Sequence, residues 1–99
     1  MKIVQMRENV TKAELLLKML ANQNRLLILC TLLKRPCSVS ELNEAINLSQ
    51  SALSQHLAKL REEKIVAFRR DHRTLYYHIC SEPVLEIMNV LHDNFCQNK

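Results

Sequence analysis

Through the larger part of the chain, apolar residues recur every three or four positions, the spacing of helices that bury one face. The first stripe predicts a helix near the N-terminus, and its members are Val10, Ala13, Leu16, Leu17 and Leu20. A second helix is predicted from about Arg25 to Leu33, with Asn22 or Asn24 as its cap. Because this second helix is apolar nearly all round, it is expected to lie at the centre of the fold.

Two short helices joined by a tight turn are predicted after Pro36. Residues 38–41 (SVSE) form a capping box, which predicts the start of a third helix. The residues expected to face inward from it are Leu42, Ala45 and Ile46. Asn47 is predicted to end that helix in a left-handed conformation, and Ser49 to cap a fourth helix. The inner face of the fourth helix is predicted to hold Leu53, Leu57 and Leu60.

From Ile65 onward the period changes to that of β-strands. Residues 65–70 (IVAFRR) and 74–79 (TLYYHI) are β-branched and aromatic runs around a polar tip, so they predict a hairpin. Ser81 and Pro83 then predict the capped start of a last helix. The apolar stripe of this helix consists of Val84, Ile87, Met88, Leu91 and Phe95. The expected fold is mainly α with a small β-hairpin wing: a winged helix-turn-helix forming a single domain over residues 1–99.

Composition and charge narrow the classes of function. The chain has 99 residues, a formal net charge of +4 and no glycine, which excludes a glycine-rich phosphate-binding loop. Six basic side chains against three acidic ones lie in residues 59–73, a distribution compatible with nucleic-acid binding. No signal peptide is recognised and the apolar run at residues 26–33 is too short to span a membrane, so a cytoplasmic protein without a membrane partner is expected.

The outer face of the fourth helix is unusual because it is small and polar. In residues 49–60 (SQSALSQHLAKL) the positions farthest from the predicted core carry serine, glutamine and alanine where glutamate and lysine are common. Short and amide-bearing side chains suit a helix that enters the major groove of DNA. Ser51, Ser54 and Gln55 are predicted to contact bases, and Gln50, His56 and Lys59 to contact phosphates, with Ser49 in the same interface. The alternative is a solvated face that happens to be poor in charge.

The wing is the second predicted DNA contact. Arg70, His72 and Arg73 at its tip are expected to follow the phosphates or to enter a minor groove, and Asp71 departs from a purely basic tip. An enzyme is not expected, because the histidines supply bases but no acid partner for a thiol nucleophile is recognised. A protein-interaction module would leave the uncharged fourth-helix face unexplained.

Three segments together resemble the ArsR/SmtB family of winged-helix regulators. They are residues 24–33 (NRLLILCTLL), 38–66 (SVSELNEAINLSQSALSQHLAKLREEKIV) and 69–79 (RRDHRTLYYHI). The resemblance covers essentially the whole chain. It implies a homodimer, formed through the first and last helices, that represses transcription by binding an inverted repeat in double-stranded operator DNA and releases it when an inducer arrives.

The metal sites of that family do not carry over to this sequence. At the third-helix site, Ser38 and Ser40 stand where the resemblance implies thiolates, and Cys37 is one residue out of register. At the last-helix site the matching residues are Ser81, Pro83, Asn94 and Gln97, none of which matches the implied Asp, His, His and Glu. No metal and no cofactor are therefore expected, and a metal-responsive repressor remains the alternative.

Cys30 and Cys96 resemble the sensing pair of a sulfide- and redox-responsive branch of the family, which includes biofilm-growth-associated and HlyU-like regulators. The resemblance implies that reactive sulfur species or an oxidant bridge the two cysteines and switch off DNA binding. Cys30 can equally be a small buried hydrophobic residue. Cys37 and Cys80 are taken as structural or incidental. An activator that displaces a silencer is a further alternative.

Overall fold

The computed structural model describes residues 2–96 and, at Cys96, the backbone alone. The helices are α1 (Ile3–Leu20), α2 (Gln23–Leu32), α3 (Val39–Ala45), α4 (Gln50–Glu62) and α5 (Glu82–Leu91). The strands β1 (Val66–Asp71) and β2 (Thr74–Ile79) lie between α4 and α5, and a π-helical turn (His92–Cys96) follows α5. The predicted order of four helices, a hairpin and a last helix is confirmed.

The predicted helix starts are confirmed by side-chain caps. The side chain of Asn22 accepts hydrogen bonds from the backbone of Asn24 and Arg25, so the cap of α2 is Asn22 and the helix begins two residues before the predicted start. Ser38 and Glu41 form the complete capping box of α3. The other two predicted caps, on α4 and α5, are Ser49 and Ser81. Each cap satisfies backbone N–H groups that have no partner within the helix.

Two details of the helix-turn-helix were predicted wrongly. Among the described residues only Lys64 and His72 have positive φ, so Asn47 is not left-handed. The third helix ends because Ile46 turns extended, with φ −122° and ψ 124°, and buries its side chain. Ala45 is exposed, because a helix of seven residues contacts the core through the narrow stripe that ends at Ile46.

The core is built around α2 and α4. As predicted, α2 is central: it buries Ile28, Leu29 and Leu32 and contacts α1, α3 and β2. The fully buried side chains from the other elements of the core are Leu42, Leu53, Leu57, Leu60, Ile65, Val66, Val84 and Met88. The inner face of α4 is completely buried in this core. Its outer face is therefore held in a fixed position.

The first helix buries little of its apolar stripe, whereas α5 buries Val84 and Met88. In α1 only Leu20 is buried, while Val10 is 60% and Leu17 is 56% exposed, because only the C-terminal end of this helix packs on the core. After α5, Phe95 is 81% exposed. No helix within residues 2–96 is both long and apolar enough to cross a membrane.

The hairpin has a tighter turn than predicted. Asp71 pairs with Thr74 in the antiparallel register, so only His72 and Arg73 form the loop. His72 has φ 60°, a conformation that glycine adopts more readily at this position of a two-residue hairpin loop. Cys37 pairs through its backbone with Tyr77 and extends the small sheet by one bridge.

Candidate nucleic-acid interface and thiol site

The outward face of α4 matches the face that the sequence predicted. The exposed residues of this face are Ser51, Ser54, Gln55, Ala58, Lys59 and Glu62. They recur every three or four positions along the helix and form one row, opposite the buried leucines. A row of small and amide side chains on a rigidly supported helix can approach base edges closely.

The N-terminus of α4 begins with a serine that has a structural role. The Ser49 hydroxyl oxygen accepts a hydrogen bond of 3.2 Å from the backbone N–H of Ala52. It also lies 3.4 Å from the Ser51 hydroxyl. Gln50, the first residue of the helix, is exposed. Ser49 therefore caps the helix, and either of the two hydroxyl groups can be the donor in its contact with Ser51.

His56 differs from its neighbours because it is partly buried on the flank of α4. Burial lowers the pKa of its imidazole below the usual 6.5, and the nearby charges of Arg25 and Lys59 lower the pKa further. Arg25 is fixed by its own contacts: its Nε donates to the carbonyl of Met19 at 2.6 Å and its Nη2 to that of Lys18 at 3.2 Å. Three basic groups thus meet where α1 ends, α2 begins and α4 passes.

Arg25 was missed as a candidate residue by the sequence prediction. Its only signal was the presence of one arginine at the start of a helix that is otherwise apolar. Its proximity to His56 depends on tertiary packing between α2 and α4, which no local pattern reports.

The wing tip presents two arginines and a contact between His72 and Asp71. Arg70 and Arg73 are exposed. His72 Nδ1 lies 2.8 Å from the Asp71 carboxylate, and both side chains are exposed. Asp71 therefore offsets part of the positive charge at the tip.

Three contacts connect the base of the wing to the helix-turn-helix. The guanidinium of Arg61 in α4 lies 5.0 Å from the ring centroid of Phe68 in β1. The Phe68 ring meets the Tyr77 ring of β2 edge to face, with centroids 5.5 Å apart. Tyr77 in turn exchanges two backbone hydrogen bonds with Cys37, of 3.0 and 2.7 Å. The wing is thus connected to α4 and to the residue that precedes the cap of α3.

The three cysteines with described side chains lie in different environments. Cys30 is partly buried and lines a pocket of about 290 Å³ with Leu26, Met88, Leu91 and Phe95. Cys37 is buried, and burial raises the pKa of its thiol. Cys80 is exposed, and its Sγ donates to the carbonyl of Lys64 at 3.4 Å. The side chain of Cys96 lies outside the described residues, although its backbone follows Phe95 directly.

Comparison with known proteins identifies the family. The model of a family described as "Bacterial regulatory protein, arsR family" matches residues 22–67. The chain is 45% identical to the transcriptional activator HlyU of Vibrio cholerae serotype O1 over 98% of its own length and 90% of that protein. This chain belongs to the ArsR family.

Solved structures of other ArsR-family regulators share its fold over nearly the whole length. Reduced HlyU from Vibrio cholerae N16961 superimposes with a TM-score of 0.89 at 46% identity, covering 94% of this chain and 98% of that one. The transcriptional repressor BigR from Xylella fastidiosa superimposes with a TM-score of 0.84 at 34% identity, covering 99% of this chain and 100% of that one. The winged helix-turn-helix assignment is confirmed.

Membership fixes the general function. ArsR-family proteins are transcriptional regulators that bind operator DNA and are not enzymes, so this chain is a DNA-binding transcriptional regulator. Among the side chains described within residues 2–95, no three of His, Cys, Asp or Glu lie close enough together to hold a metal ion. Ser38, at one of the family's metal-ligand positions, uses its side chain in the capping box of α3.

Proposed function

We propose that this ArsR-family regulator is a homodimeric repressor whose operator binding is switched off when reactive sulfur or an oxidant bridges Cys30 and Cys96. The observation that carries the switch is the pocket that joins Cys30 of α2 to Phe95, the residue before Cys96. That pocket brings one sensing thiol next to the turn that carries the other. The solved structure of a relative described as reduced HlyU, and a relative named as a repressor, support the proposal.

The operator is contacted by α4 and by the wing tip. Ser51, Ser54 and Gln55, which share the exposed row of α4, contact base edges. The phosphates are contacted by Ser49, Gln50, His56 and Lys59 from α4 and by Arg70, His72 and Arg73 from the wing. The exposure of the α4 row and of the two arginines supports this division of roles.

The dimer forms through α1 and α5. Large apolar side chains are exposed on both helices, and they include Ile3, Val4, Val10, Leu17, Leu85 and Val90. Apolar surface of this extent is rarely left in water by a soluble protein. A second copy of the chain is the occupant, because an interface with twofold symmetry brings two α4 helices to the two halves of an inverted repeat.

The bridge forms in two thiol exchanges, written here for an organic trisulfide, RSSSR. The Cys30 thiolate attacks the central sulfur and expels RS⁻, which takes up a proton to give RSH. The Cys96 thiolate attacks the same sulfur and expels a second RS⁻. Two protein thiols have then been oxidised to a Cys30–S–S–S–Cys96 bridge, and the trisulfide has been reduced to two thiols.

The bridge affects DNA binding through the positions of the two α4 helices. It connects α2, the central helix beside α3, to the turn that follows α5 in the dimer interface. A change in their packing alters the distance between the two α4 helices, so both half-sites are no longer bound at once. Loss of simultaneous binding lowers affinity by about 100-fold or more.

Selection of operator sequences tests the DNA-binding part of the proposal. The reduced protein is incubated with random duplexes, and bound DNA is sequenced over several rounds. We expect an inverted repeat whose half-site centres are about one helical turn, roughly 34 Å, apart. Enrichment of a single half-site, or of no sequence, would contradict the proposed dimer.

An activator is the second candidate function, because HlyU, the relative at 45% identity, is named as a transcriptional activator. Transcription from the selected operator in vitro distinguishes the two. A repressor lowers transcription from naked DNA, whereas a regulator that displaces a silencer raises transcription only when the silencer is present.

A further inference from the structure

The contacts at the wing base form a continuous path from α4 to the wing. Arg61, Phe68 and Tyr77 are stacked in sequence, with Arg61 5.0 Å from the Phe68 centroid and the two rings 5.5 Å apart. We call these three residues the wing stack. Phe68 is 37% exposed, so its ring is covered only in part. The exposed side of the ring is large for a residue that serves core packing alone.

The register of the hairpin divides the wing into two faces. Phe68 pairs with Tyr77 and Arg70 pairs with Leu75, and alternation along β1 gives Phe68 and Arg70 the same face. Arg69 pairs with Tyr76 on the opposite face. Because the Arg61 guanidinium lies over Phe68, the face that carries Arg70 is the one turned toward α4. Arg69 and Arg70 are adjacent in sequence but lie on opposite faces of the wing, and only Arg70 lies on the face turned toward α4.

We infer that the wing stack is a positioning device that sets the angle between the wing and α4, so that Arg70 contacts the same DNA as the α4 row. The inference rests on the proposed role of the wing. Arg61 acts through Phe68 and contacts no base. An arginine over an aromatic ring is stabilised by the ring quadrupole, and edge-to-face contact is a preferred arrangement of two rings, so the stack favours one angle between the wing and α4.

The Cys37 bridge strengthens this inference. Tyr77 is buried and exchanges two backbone hydrogen bonds with Cys37, the residue before the cap of α3. The wing is therefore attached at one side to α4 and at the other to the start of α3. Both attachments restrain rotation of the hairpin relative to the helix-turn-helix.

Phe68→Leu tests the inference because it removes the ring without changing any charge. Each protein–phosphate contact adds about one to the slope of log affinity against log salt. We expect Arg70→Gln to lower that slope by about one. Phe68→Leu should lower it by a similar amount, although no cation has been removed, because Arg70 no longer reaches its phosphate. Phe68→Tyr, which keeps the ring, should rescue the slope.

Arg69→Gln is the matched control, since it removes the same charge one residue away on the other face. Its slope is expected to equal that of the wild type. The double variant Phe68→Leu, Arg70→Gln should lose no more slope than Arg70→Gln alone. Circular dichroism at each salt concentration verifies that every variant is folded, which separates positioning from stability.

The outcomes separate this inference from the function on which it rests. An unchanged slope in Arg70→Gln would contradict the proposed wing contact itself. A normal slope in Phe68→Leu, with a reduced slope in Arg70→Gln, would overturn the positioning role of the stack. Equal losses in Arg69→Gln and Arg70→Gln would overturn the directional role, because both faces would then contact phosphate.

Discussion

Two outward helix faces of this molecule have opposite chemistry. On α4 the residues opposite the buried leucines are serines, glutamine, alanine, lysine and, in the last turn, glutamate. On α1 the residues that do not reach the core include Ile3, Val4, Val10 and Leu17. The polar α4 face can remain in water or lie in a polar groove. The apolar α1 face is unfavourable in water, so burying it against another apolar surface lowers the free energy. The difference is consistent with the proposed DNA surface on α4 and the proposed dimer surface on α1.

The surroundings of α4 and the pocket at Cys30 also differ in charge. Near α4, burial lowers the pKa of His56, and the nearby positive charges of Arg25 and Lys59 lower it further. The pocket at Cys30, between α2 and the end of α5, is lined by apolar side chains and the thiol. A polyanion is attracted to the first region, and apolar association is favoured at the second.

Of the substitutions that test this comparison, Leu17→Glu is expected to have the largest effect on dimer formation and on operator affinity. A carboxylate buried in an apolar interface must lose its hydration, so the dimer should dissociate and operator affinity should fall by about 100-fold or more. Sedimentation velocity measures the dimer, and a mobility shift measures the affinity.

Ala45→Glu, at an exposed position on α3, adds the same charge and is the control for the dimer. Its sedimentation should equal that of the wild type. A dimeric Leu17→Glu protein would show that the apolar face of α1 has another partner.

Gln55→Ala tests the outward face of α4 and is expected to have the next largest effect on operator affinity. If Gln55 contacts a base edge, its loss should weaken binding by about 1 to 3 kcal/mol and relax the preference at one operator position. Affinities for the operator and its single-base variants measure both quantities. Lys59→Gln is the comparison, because loss of a phosphate contact weakens binding to all sequences about equally. If Gln55→Ala weakened binding to all sequences equally, Gln55 would be assigned to the DNA phosphates instead of a base edge.

The pH dependence of operator affinity tests His56. Burial and the charges of Arg25 and Lys59 lower the pKa of His56 in the free protein, so it is neutral at pH 7 and above. A phosphate favours the charged imidazolium and raises the pKa on binding, so binding takes up a proton. Affinity should therefore rise as the pH falls through the bound-state pKa toward the lowered free-state pKa.

The His56→Gln variant should lose this part of the pH dependence, and binding titrations between pH 8 and 5 measure it. His72→Gln serves as the control for the exposed imidazole at the wing tip. If both variants keep the full dependence, then neither histidine contacts a phosphate.

Lys64→Gly should have the smallest effect and concerns stability alone. Lys64 follows α4 and has φ 59°. The Lys64 N–H donates to the carbonyl of Arg61 and the Ile65 N–H donates to the carbonyl of Leu60, which together form a Schellman motif. Glycine removes the left-handed strain, and its greater freedom in the unfolded chain offsets part of the gain. The net gain is expected to be about 0.5 to 1 kcal/mol, measured by urea unfolding. Lys64→Ala removes the same charge without relieving the backbone and should give no gain.

Local signals in the sequence predicted the fold well. The caps at Asn22, Ser38, Ser49 and Ser81 depend on side chains within three residues of the N–H groups that they bind. Asn47 shows where such reasoning fails. A chain without glycine has no clear signal for a left-handed residue, and the two found in the described part of the chain are a lysine and a histidine. Their conformations are imposed by the turn, not by the residue type.

The remainder of the site depends on contacts between distant elements. The stripe of α1 was correctly recognised as apolar, but a pattern cannot tell whether its partner is the chain's own core or another molecule. Arg61 meets Phe68 and Arg25 approaches His56 only after the helices and the wing have packed. The exposed row of α4 could be predicted because helical periodicity alone determines which residues oppose the buried leucines.

Release of the operator by an organic trisulfide tests the central claim most directly. The wild type, Cys30→Ser and Cys80→Ser are treated in parallel, and binding is followed by fluorescence anisotropy before and after addition of reductant. Cys80 is the matched control because its thiol is exposed and lies outside the Cys30 pocket. We predict that the wild type and Cys80→Ser release DNA and rebind it on reduction, that Cys30→Ser stays bound, and that mass spectrometry finds Cys30 joined to Cys96. Release of Cys30→Ser by the trisulfide, or release of the wild type by zinc but not by the trisulfide, would contradict the account.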